Sequence, residues 1–389
     1  MIVVKNLLYN TILFIMVFAL TLQNYVAQEN KNNNTQSRFI DTLDNKFDVS
    51  EFLKTKYGFV ILPTVITEPA IGYGGGAGLI FVHRDPEEIA QGKGNYPSIS
   101  AVGGFYTSTN SWAIGGGHFG VWKNGAIRYR GAAGFVSANL LYYREPIFQN
   151  GVEKLDFNIK AYGIIQEIIF RLWNTSFFAG ASYGFGHTEV LFNIPTEIPD
   201  EISRSELSTN IGGLGTVLNY DSRDNLFTPN NGIYAGVNYI YYDKFLGSDR
   251  KFQRLFTHIL GYTKIIKNFY GALRLDYQNS FEDTPFYLRP FISLRGIPAM
   301  RYQGKSTYLA EIEMRWDFLN RWSLVGFTGY GEAIPVNNKL FDKQSAYNFG
   351  AGFRYLIARL YGMRMGIDIA RGPEDWAFYI QFGSSWFRY

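Results

Sequence analysis

Residues 308–318 read Tyr-Leu-Ala-Glu-Ile-Glu-Met-Arg-Trp-Asp-Phe, and their alternate positions differ sharply in chemical character. The even positions are Tyr308, Ala310, Ile312, Met314, Trp316 and Phe318, and the odd positions are Leu309, Glu311, Glu313, Arg315 and Asp317. Successive side chains of a β-strand point to opposite faces, so this spacing gives one apolar face and one mainly charged face. The stretch therefore predicts a strand that separates two very different environments.

The same alternation returns along the chain, for example at 269–278, 349–357, 363–369 and 376–383. Soluble sandwiches also alternate, but their strands average about five to six residues, and many of these are about twice as long. Strands that cross a bilayer need about 9–11 residues, with aromatic girdles at both interfaces. Because backbone polar groups in hydrocarbon must all be paired, such a sheet closes on itself. The pattern predicts an all-β fold, a 16-stranded antiparallel transmembrane β-barrel over residues 57–389.

The connections between the predicted strands support a barrel. The strands are predicted at 58–66, 70–83, 96–108, 111–122, 125–140, 154–171, 174–190, 205–221, 231–242, 251–265, 268–281, 306–318, 321–333, 346–357, 362–371 and 376–387. A chain that starts in the periplasm has short turns there, such as 123–124 and 319–320, and longer loops outside, such as 141–153 and 282–305. This asymmetry is typical of outer-membrane barrels, and an even strand number returns Tyr389 to the periplasm.

The N-terminal residues predict a targeting segment. Lys5 precedes an apolar run from Leu7 to Leu22, and Ala27 and Gln28 offer a small-residue exit before an asparagine-rich tract. These are the marks of a secretory signal peptide, and the run is short for a membrane anchor, which is the alternative. We expect a signal peptide at 1–28, a short polar periplasmic segment at 29–56 and no transmembrane helix after cleavage.

The composition excludes several function classes. The 389 residues include no cysteine, which rules out a disulfide scaffold, a thiolate zinc site and a catalytic cysteine. A net charge of +4 is too small and dispersed for a nucleic-acid partner. Residues 115–120 match G-x-G-x-x-G, but a strand pattern continues where a dinucleotide site needs a helix. The four histidines lack local metal-ligand spacing, so we expect no metal and no cofactor.

Three segments are more specific than alternation alone. The first, at 221–234, contains Asp221, Arg223, Asp224, Pro229 and Gly232. The second contains Arg295, Gly296 and Ile297, followed by Glu311, Glu313 and Arg315. The third is the aromatic C-terminus with Trp386, Phe387 and Tyr389. Together they resemble the bacterial surface antigen family, whose BamA/TamA-type members are 16-stranded outer-membrane barrels.

The resemblance implies a role for each segment. The first would be a periplasmic turn motif, and the third a C-terminal assembly signal. The second would place the Arg295-Gly296-Ile297 tip of the sixth outer loop inside the lumen, where Arg295 meets a carboxylate of the twelfth or thirteenth strand. Strand parity puts Glu311 and Glu313 on the lumen face, so these two are the candidates.

Two features depart from the family pattern. Relatives that fold or translocate proteins carry periplasmic POTRA domains, and the residues between the cleavage site and the first strand leave no room for one. The family often has F-x-D-x-G on the strand after the acidic one, whereas this chain has Phe327-Thr328-Gly329-Tyr330-Gly331. Glycine thus replaces the aspartate, and Glu311, Glu313 or Glu332 would have to pair with Arg295.

The resemblance implies a non-enzymatic barrel of a Gram-negative outer membrane that assists insertion or translocation of proteins or lipids. Its partners would be outer-membrane lipids and outer-membrane assembly machinery or client proteins. A solute-conducting pore is the alternative, because a sixteen-stranded lumen is wide enough for water. An outer-membrane lipase with a dispersed triad is a third reading, although no G-x-S-x-G is present.

Overall fold

The computed structural model describes residues 39–54, 59–83, 98–144, 153–192, 202–335 and 343–386. They form sixteen strands, one short α-helix, α1, at Ser50–Lys54, and four single-turn 3-10 helices at Arg204–Glu206, Lys244–Leu246, Phe286–Leu288 and Arg359–Tyr361. The strands are β1 Phe59–Ile66, β2 Gly74–His83, β3 Ser98–Thr107, β4 Trp112–Trp122, β5 Ile127–Arg144, β6 Glu153–Arg171, β7 Phe177–Phe192, β8 Ser208–Asp221, β9 Gly232–Tyr242, β10 Phe252–Ile266, β11 Phe269–Glu282, β12 Ser306–Trp316, β13 Trp322–Ile334, β14 Gln344–Ala358, β15 Met363–Arg371 and β16 Trp376–Phe382. No helix in these ranges is long and apolar enough to cross a membrane.

The strands make one antiparallel sheet in which each strand pairs with its neighbours in sequence. The first and last strands lie next to each other, so the sheet nearly closes into a barrel. The short connections, such as 123–126 and 267–268, lie at one end of the barrel, which we name the turn end. The connection 283–305 lies at the opposite end, named the loop end. The predicted all-β fold with sixteen antiparallel strands is confirmed.

Most predicted boundaries agree within two residues. β5 extends four residues further than predicted, to Arg144, and β7 and β8 each begin three residues later, at Phe177 and Ser208. Two other differences have local causes. β2 begins at Gly74 rather than at residue 70, because the backbone N–H of Gly72 donates to the Glu68 carbonyl in a turn with a positive φ of 76°. β16 ends at Phe382 rather than at 387, because Gly383 adopts a φ of 73° and turns the chain. Side chains with a Cβ rarely adopt such angles, so glycine marks both points.

The two faces of the wall have the predicted opposite character. On β12, Tyr308, Ile312 and Trp316 are 46–51% exposed on the outside, whereas Glu311 on the inner face is 1% exposed. Aromatic residues are exposed near both ends of the wall, including Trp112, Trp122, Trp316, Trp322 and Trp376. A continuous apolar outer surface of this kind is stable in hydrocarbon rather than in water, and aromatic girdles match the two interfaces. The barrel is therefore of the transmembrane type.

The lumen wall differs between its two halves. Charged side chains face inward on β11, β12, β14 and β15. On β2–β7 a continuous row of register partners is glycine: Gly78, Gly103, Gly115, Gly134, Gly163 and Gly186. A Cβ at Gly163 would lie 2.8 Å from the Phe185 carbonyl oxygen, so the strands pack too closely there for a side chain. Most of the buried charged strand residues are thus on the second half of the sheet, although Arg128 of β5 and Glu167 of β6 are buried as well.

Candidate functional site

The connection 283–305, which we name the plug loop, folds into the lumen instead of extending away from the barrel. Its two arms are joined by a hydrogen bond from the Ile292 backbone N–H to the Tyr302 carbonyl, 3.0 Å long. Ile292, Leu294 and Ile297 are buried against side chains of β12, β13 and β14. A second cluster holds the base of the loop, where Phe286 packs on β6 and β7. Apolar burial at both places fixes the loop inside the wall.

Arg295, at the tip of the plug loop, meets three carboxylates. Its Nε and Nη2 lie 3.0 and 2.9 Å from Glu311 Oε1. Its Nη1 lies 2.7 Å from Asp368 Oδ2, 3.0 Å from Glu313 Oε2 and 2.9 Å from Ser385 Oγ. The guanidinium is a planar fork with five donors, so it can hold several carboxylates at once where a lysine ammonium cannot. The structure thus brings Arg295, Glu311 and Glu313 together, and adds Asp368 from β15.

The backbone around Arg295 is held as tightly as its side chain. The Gly296 N–H donates to the Tyr379 hydroxyl at 2.8 Å, and the Asn348 side-chain amide donates to the Arg295 carbonyl at 2.9 Å. Gly296 has a φ of 85°, which allows the sharp turn at the tip. The Arg295 guanidinium carbon lies 3.4 Å from the centre of the Phe327 ring. A cation over an aromatic face is favourable, and more so when water is excluded.

Glu311 is the centre of the network. Besides Arg295, its carboxylate accepts a hydrogen bond from the Trp386 indole N–H at 2.6 Å and a weaker one from Arg274 Nη1 at 3.4 Å. Arg274 also pairs with Asp276 at 2.6 Å. Asp368 is shared in the same way, because Arg354 Nη1 lies 2.5 Å from its second oxygen. Buried charges are tolerated only when they are paired and hydrogen-bonded, and these are.

The C-terminal residues contribute to this site because the chain turns into the lumen after the last strand. The sequence predicted that the last strand would continue to residue 387, but after Gly383 the chain turns inward. Ser385 then bonds Arg295, and Trp386, only 4% exposed, bonds Glu311. Phe387 and Tyr389, predicted with Trp386 as an assembly signal, lie outside the described residues, so that role stays a prediction.

The predicted turn motif lies at the turn end, between β8 and β9. Asp221 receives Arg223 Nε at 2.8 Å and Arg128 Nη1 at 2.6 Å, and all three side chains are buried. The Arg223 guanidinium also stacks on Tyr234 at 4.1 Å. This part of the motif joins the turn to the inner wall of β5 and β9.

The rest of the motif shapes the turn itself. The Asp224 carboxylate accepts the backbone N–H groups of Asn230 and Asn231, the two residues that follow Pro229, at 2.9 and 3.2 Å. Gly232 has a φ of 109°, and a Cβ there would lie 2.4 Å from the Ser222 carbonyl oxygen. The motif is therefore a structural turn that lies apart from the Arg295 network.

Sequence reasoning missed Asp368, Ser385 and Arg354 as members of the network. Asp368 is the one acidic residue in Met363–Arg371, on the same face as Arg364, and this could have marked it as a partner for a lumen arginine. Glu332, the third candidate partner for Arg295, instead pairs with Lys343 at 2.9 Å. The sequence gives no signal for Ser385, because its position depends on the inward turn of the C-terminus.

Replacing Gly329 by the aspartate of the surface antigen pattern should destabilise the barrel. A Cβ at Gly329 would lie 2.8 Å from Asn348 Oδ1 and 3.0 Å from the Ala310 carbonyl oxygen. Overpacking at such a site costs about 1–3 kcal/mol, and we expect this loss for Gly329→Ala and at least as much for Gly329→Asp. Gly326→Ala on the same strand, where a Cβ meets nothing within 4 Å, is the control. Urea unfolding in micelles measures both, and a more stable Gly329→Asp would contradict the packing.

Comparison with known proteins shows that the chain is similar in fold to several solved structures. No family model matches the chain, and no curated protein matches it in sequence. BamA from Haemophilus ducreyi lacking POTRA domains 1–3 is a similar solved structure, with a TM-score of 0.55 and 13% identity over 84% of this chain and 70% of that one. CdiB from Escherichia coli gives a TM-score of 0.55 with 9% identity, over 86% of this chain and 69% of that one.

CdiB from Acinetobacter baumannii gives a TM-score of 0.54 with 11% identity, over 83% of this chain and 59% of that one. At these identities the likeness concerns the fold. The chain is an all-β, 16-stranded antiparallel barrel of the architecture found in the BamA and CdiB structures.

Proposed function

We propose that this chain is a non-enzymatic integral barrel of a Gram-negative outer membrane, in the bacterial surface antigen family, that assists insertion or translocation of proteins or lipids. The observation that carries the proposal is the plug loop, which lies in the lumen and is held there by Arg295. The likeness in fold to BamA and CdiB supports it. The turn motif at 221–234 and the Arg295-Gly296-Ile297 motif support it as well. Outer-membrane lipids, assembly machinery and client proteins are the proposed partners.

The plug loop favours this function over a solute pore. A pore needs an open aqueous path, whereas here a loop with an apolar core crosses the interior and is tied to β12, β15 and β16. At the level of the plug-loop tip, Glu311, Glu313 and Asp368 are paired with Arg295, and Asp368 is also paired with Arg354. The proposal includes no chemical step and no cofactor.

The test is a client-folding assay with purified protein in phosphatidylethanolamine/phosphatidylglycerol vesicles. A urea-unfolded eight-stranded outer-membrane barrel is added, and its folded fraction is followed by gel shift. We expect the client to fold several-fold faster than in empty vesicles. Arg289→Ala, a plug-loop variant outside the network, is the matched control and should accelerate folding as much as the wild type does. Folded protein that gives no acceleration would count against insertion of proteins. Fatty acid released from the same vesicles would support the lipase instead.

A further inference from the structure

The two ends of the sheet meet without strand pairing. β1 and β16 are neighbours in the wall, but among the described residues the sheet order runs from β1 to β16 and no ladder joins the two. We name this line of contact the seam. Unpaired strand edges leave backbone N–H and C=O groups without partners, which is unfavourable in hydrocarbon. Two sets of contacts elsewhere in the molecule span the seam, one at each end.

The contacts at the turn end involve residues 39–54, which we name the N-terminal strap. The strap lies under the β12–β13 and β14–β15 connections, on the β16 side of the seam, and the chain then enters β1 on the other side. The Val49 N–H donates to the Ile357 carbonyl at 2.9 Å, and the Tyr355 hydroxyl donates to the Phe47 carbonyl at 2.8 Å. Val49 and Phe47 also pack beside Tyr361. The strap is therefore docked by backbone as well as by apolar contacts.

Arg321, in the β12–β13 connection, binds three aspartates of the strap. Its Nε lies 2.6 Å from Asp44 Oδ2, and its Nη2 lies 2.6 Å from Asp41 Oδ2 and 2.8 Å from Asp44 Oδ1. Its Nη1 lies 2.6 Å from Asp48 Oδ2 and 3.1 Å from the Leu356 carbonyl oxygen. A guanidinium has five N–H donors, and here all five have acceptors. The Arg321 side chain is buried, which strengthens these contacts.

A second arginine completes the turn-end contacts. Arg359, in the β14–β15 connection, pairs with both oxygens of Asp41, and its backbone N–H donates to Asp48 Oδ2 at 2.9 Å. The hydrogen bond from Arg359 holds the pKa of the Asp41 carboxyl well below 3.8, so it stays ionised at neutral pH. Asp48 also accepts the Ser50 N–H at 2.7 Å, where α1 begins. The strap is thus anchored on two separate connections of the barrel.

The length of chain between Val49, where the strap is docked, and β1 limits how wide the seam can become at the turn end. From Val49 the chain has only α1 and residues 55–58 before Phe59. At about 1.5 Å per helical residue and about 3.4 Å per extended residue, this stretch reaches about 25 Å. Three strand spacings of about 4.8 Å separate β14 from β1 in a closed wall. The docked strap therefore allows the turn end of the seam to widen by about 10 Å at most.

The contacts at the loop end use the plug loop. On one side of the seam, the Ala299 N–H donates to Glu68 Oε1 at 3.2 Å, and Glu68 lies in the β1–β2 connection. On the other side, Arg301 Nε lies 2.6 Å from Glu374 Oε1 in the β15–β16 connection. Burial raises the pKa of Glu68, as expected for a carboxyl that the loop covers. Residues 299–301 therefore link both edges.

We infer that the N-terminal strap and residues 299–301 of the plug loop are two independent clasps that hold the seam in place of a strand ladder. The Arg321 clasp limits the turn end, and the Arg301 clasp limits the loop end. Releasing one clasp frees its own end of the seam while the other end stays closed. This inference rests on the fold and its contacts and is independent of the proposed function.

Spin-label distances test the clasps, because a chain without cysteine accepts labels only at introduced sites. Ile61→Cys with Ile380→Cys reports the turn end, and Val65→Cys with Trp376→Cys reports the loop end. A single label at Leu43→Cys, an exposed position of the strap, reports its mobility. The measurements use the full-length protein in phosphatidylethanolamine/phosphatidylglycerol bilayers, and a heat-modifiable gel band confirms that each variant is folded.

Two clasp variants and one control give the outcomes. Arg321→Gln should mobilise the label at residue 43 and extend the turn-end distances beyond the 10 Å allowance, with loop-end distances unchanged. Arg301→Gln combined with Glu68→Ala, which also removes the acceptor of the Ala299 N–H, should extend the loop-end distances and leave the turn-end distances and the label at residue 43 unchanged. Arg250→Gln is the control for loss of an arginine at the base of the plug loop, since Arg250 bonds Ser205 and Asp283 at the loop end away from the seam, and it should leave both pairs of distances unchanged. A mobile strap with unchanged turn-end distances overturns the inference. A second variant replaces Asp41, Asp44 and Asp48 by asparagine. If the strap stays immobile both in this variant and in Arg321→Gln, the inference is overturned as well.

Discussion

Arg295→Ala should lower the free energy of unfolding by about 3–5 kcal/mol, the usual cost of removing one partner from a buried ion pair. The substitution leaves the buried carboxylates of Glu311 and Asp368 without their shared cation. Asp368 keeps its pair with Arg354, but Glu311 keeps only the weaker 3.4 Å ion pair with Arg274, which is already paired with Asp276. The measurement is urea unfolding in micelles, followed by tryptophan fluorescence and by the heat-modifiable gel band.

Two controls separate the network from the loop as a whole. Arg295→Lys keeps the charge but loses the fork, so its loss should fall between wild type and alanine. Arg289→Ala removes an arginine of the same loop that lines an open polar pocket, and it should change stability little. In a double-mutant cycle, Arg295→Ala with Glu311→Ala should show a coupling of about 0.5–3 kcal/mol. Strict additivity would mean that Arg295 does not rely on Glu311.

Ile312→Arg should cost about 2–4 kcal/mol, because it places a charge on the lipid face near the middle of β12. Met314→Arg, on the same face, should behave similarly. Glu313→Gln, one residue away on the lumen face, should be milder for insertion, since Arg295 keeps two other carboxylates. Refolding yield into bilayers and the unfolding free energy measure the difference between the two faces.

Depth provides the matched control on the same face. Tyr308→Arg, near the loop end of the same strand, should cost only about 0–1 kcal/mol because it meets the interface rather than hydrocarbon. Equal losses at residues 308 and 312 would show that this face is not graded by a bilayer. Equal losses at 312 and 313 would show that the strand register is wrong.

The fold could be predicted from the sequence because its cause is local. Alternation in a strand such as 308–318 indicates which environment each face meets, and the need to pair backbone groups in hydrocarbon predicts that the sheet curls into a barrel, although β1 and β16 meet without a ladder. The predicted start of β2 and end of β16 were wrong because glycines with a positive φ, Gly72 and Gly383, turn the chain at those points. The positive φ of each glycine is a property of the folded turn, and the presence of a glycine in the sequence does not by itself predict it.

Only the part of the site that carries the surface antigen motif could be predicted from the sequence. The motif placed Arg295 near Glu311 and Glu313, and strand parity placed both acids on the lumen face. Asp368 and Trp386 join from elements far along the chain, so their convergence depends on tertiary packing. The strap is a further case: its three aspartates look like part of a polar linker until Arg321 is placed among them.

Conductance of the purified barrel in planar bilayers tests the central claim most directly, namely that the plug loop closes the lumen of a barrel that is not a pore. We predict that wild-type protein shows little steady conductance, and that Arg295→Ala, by loosening the loop, adds frequent open events. Arg289→Ala should behave like wild type. A large, steady and solute-selective conductance of the wild-type barrel would contradict the account and support the pore.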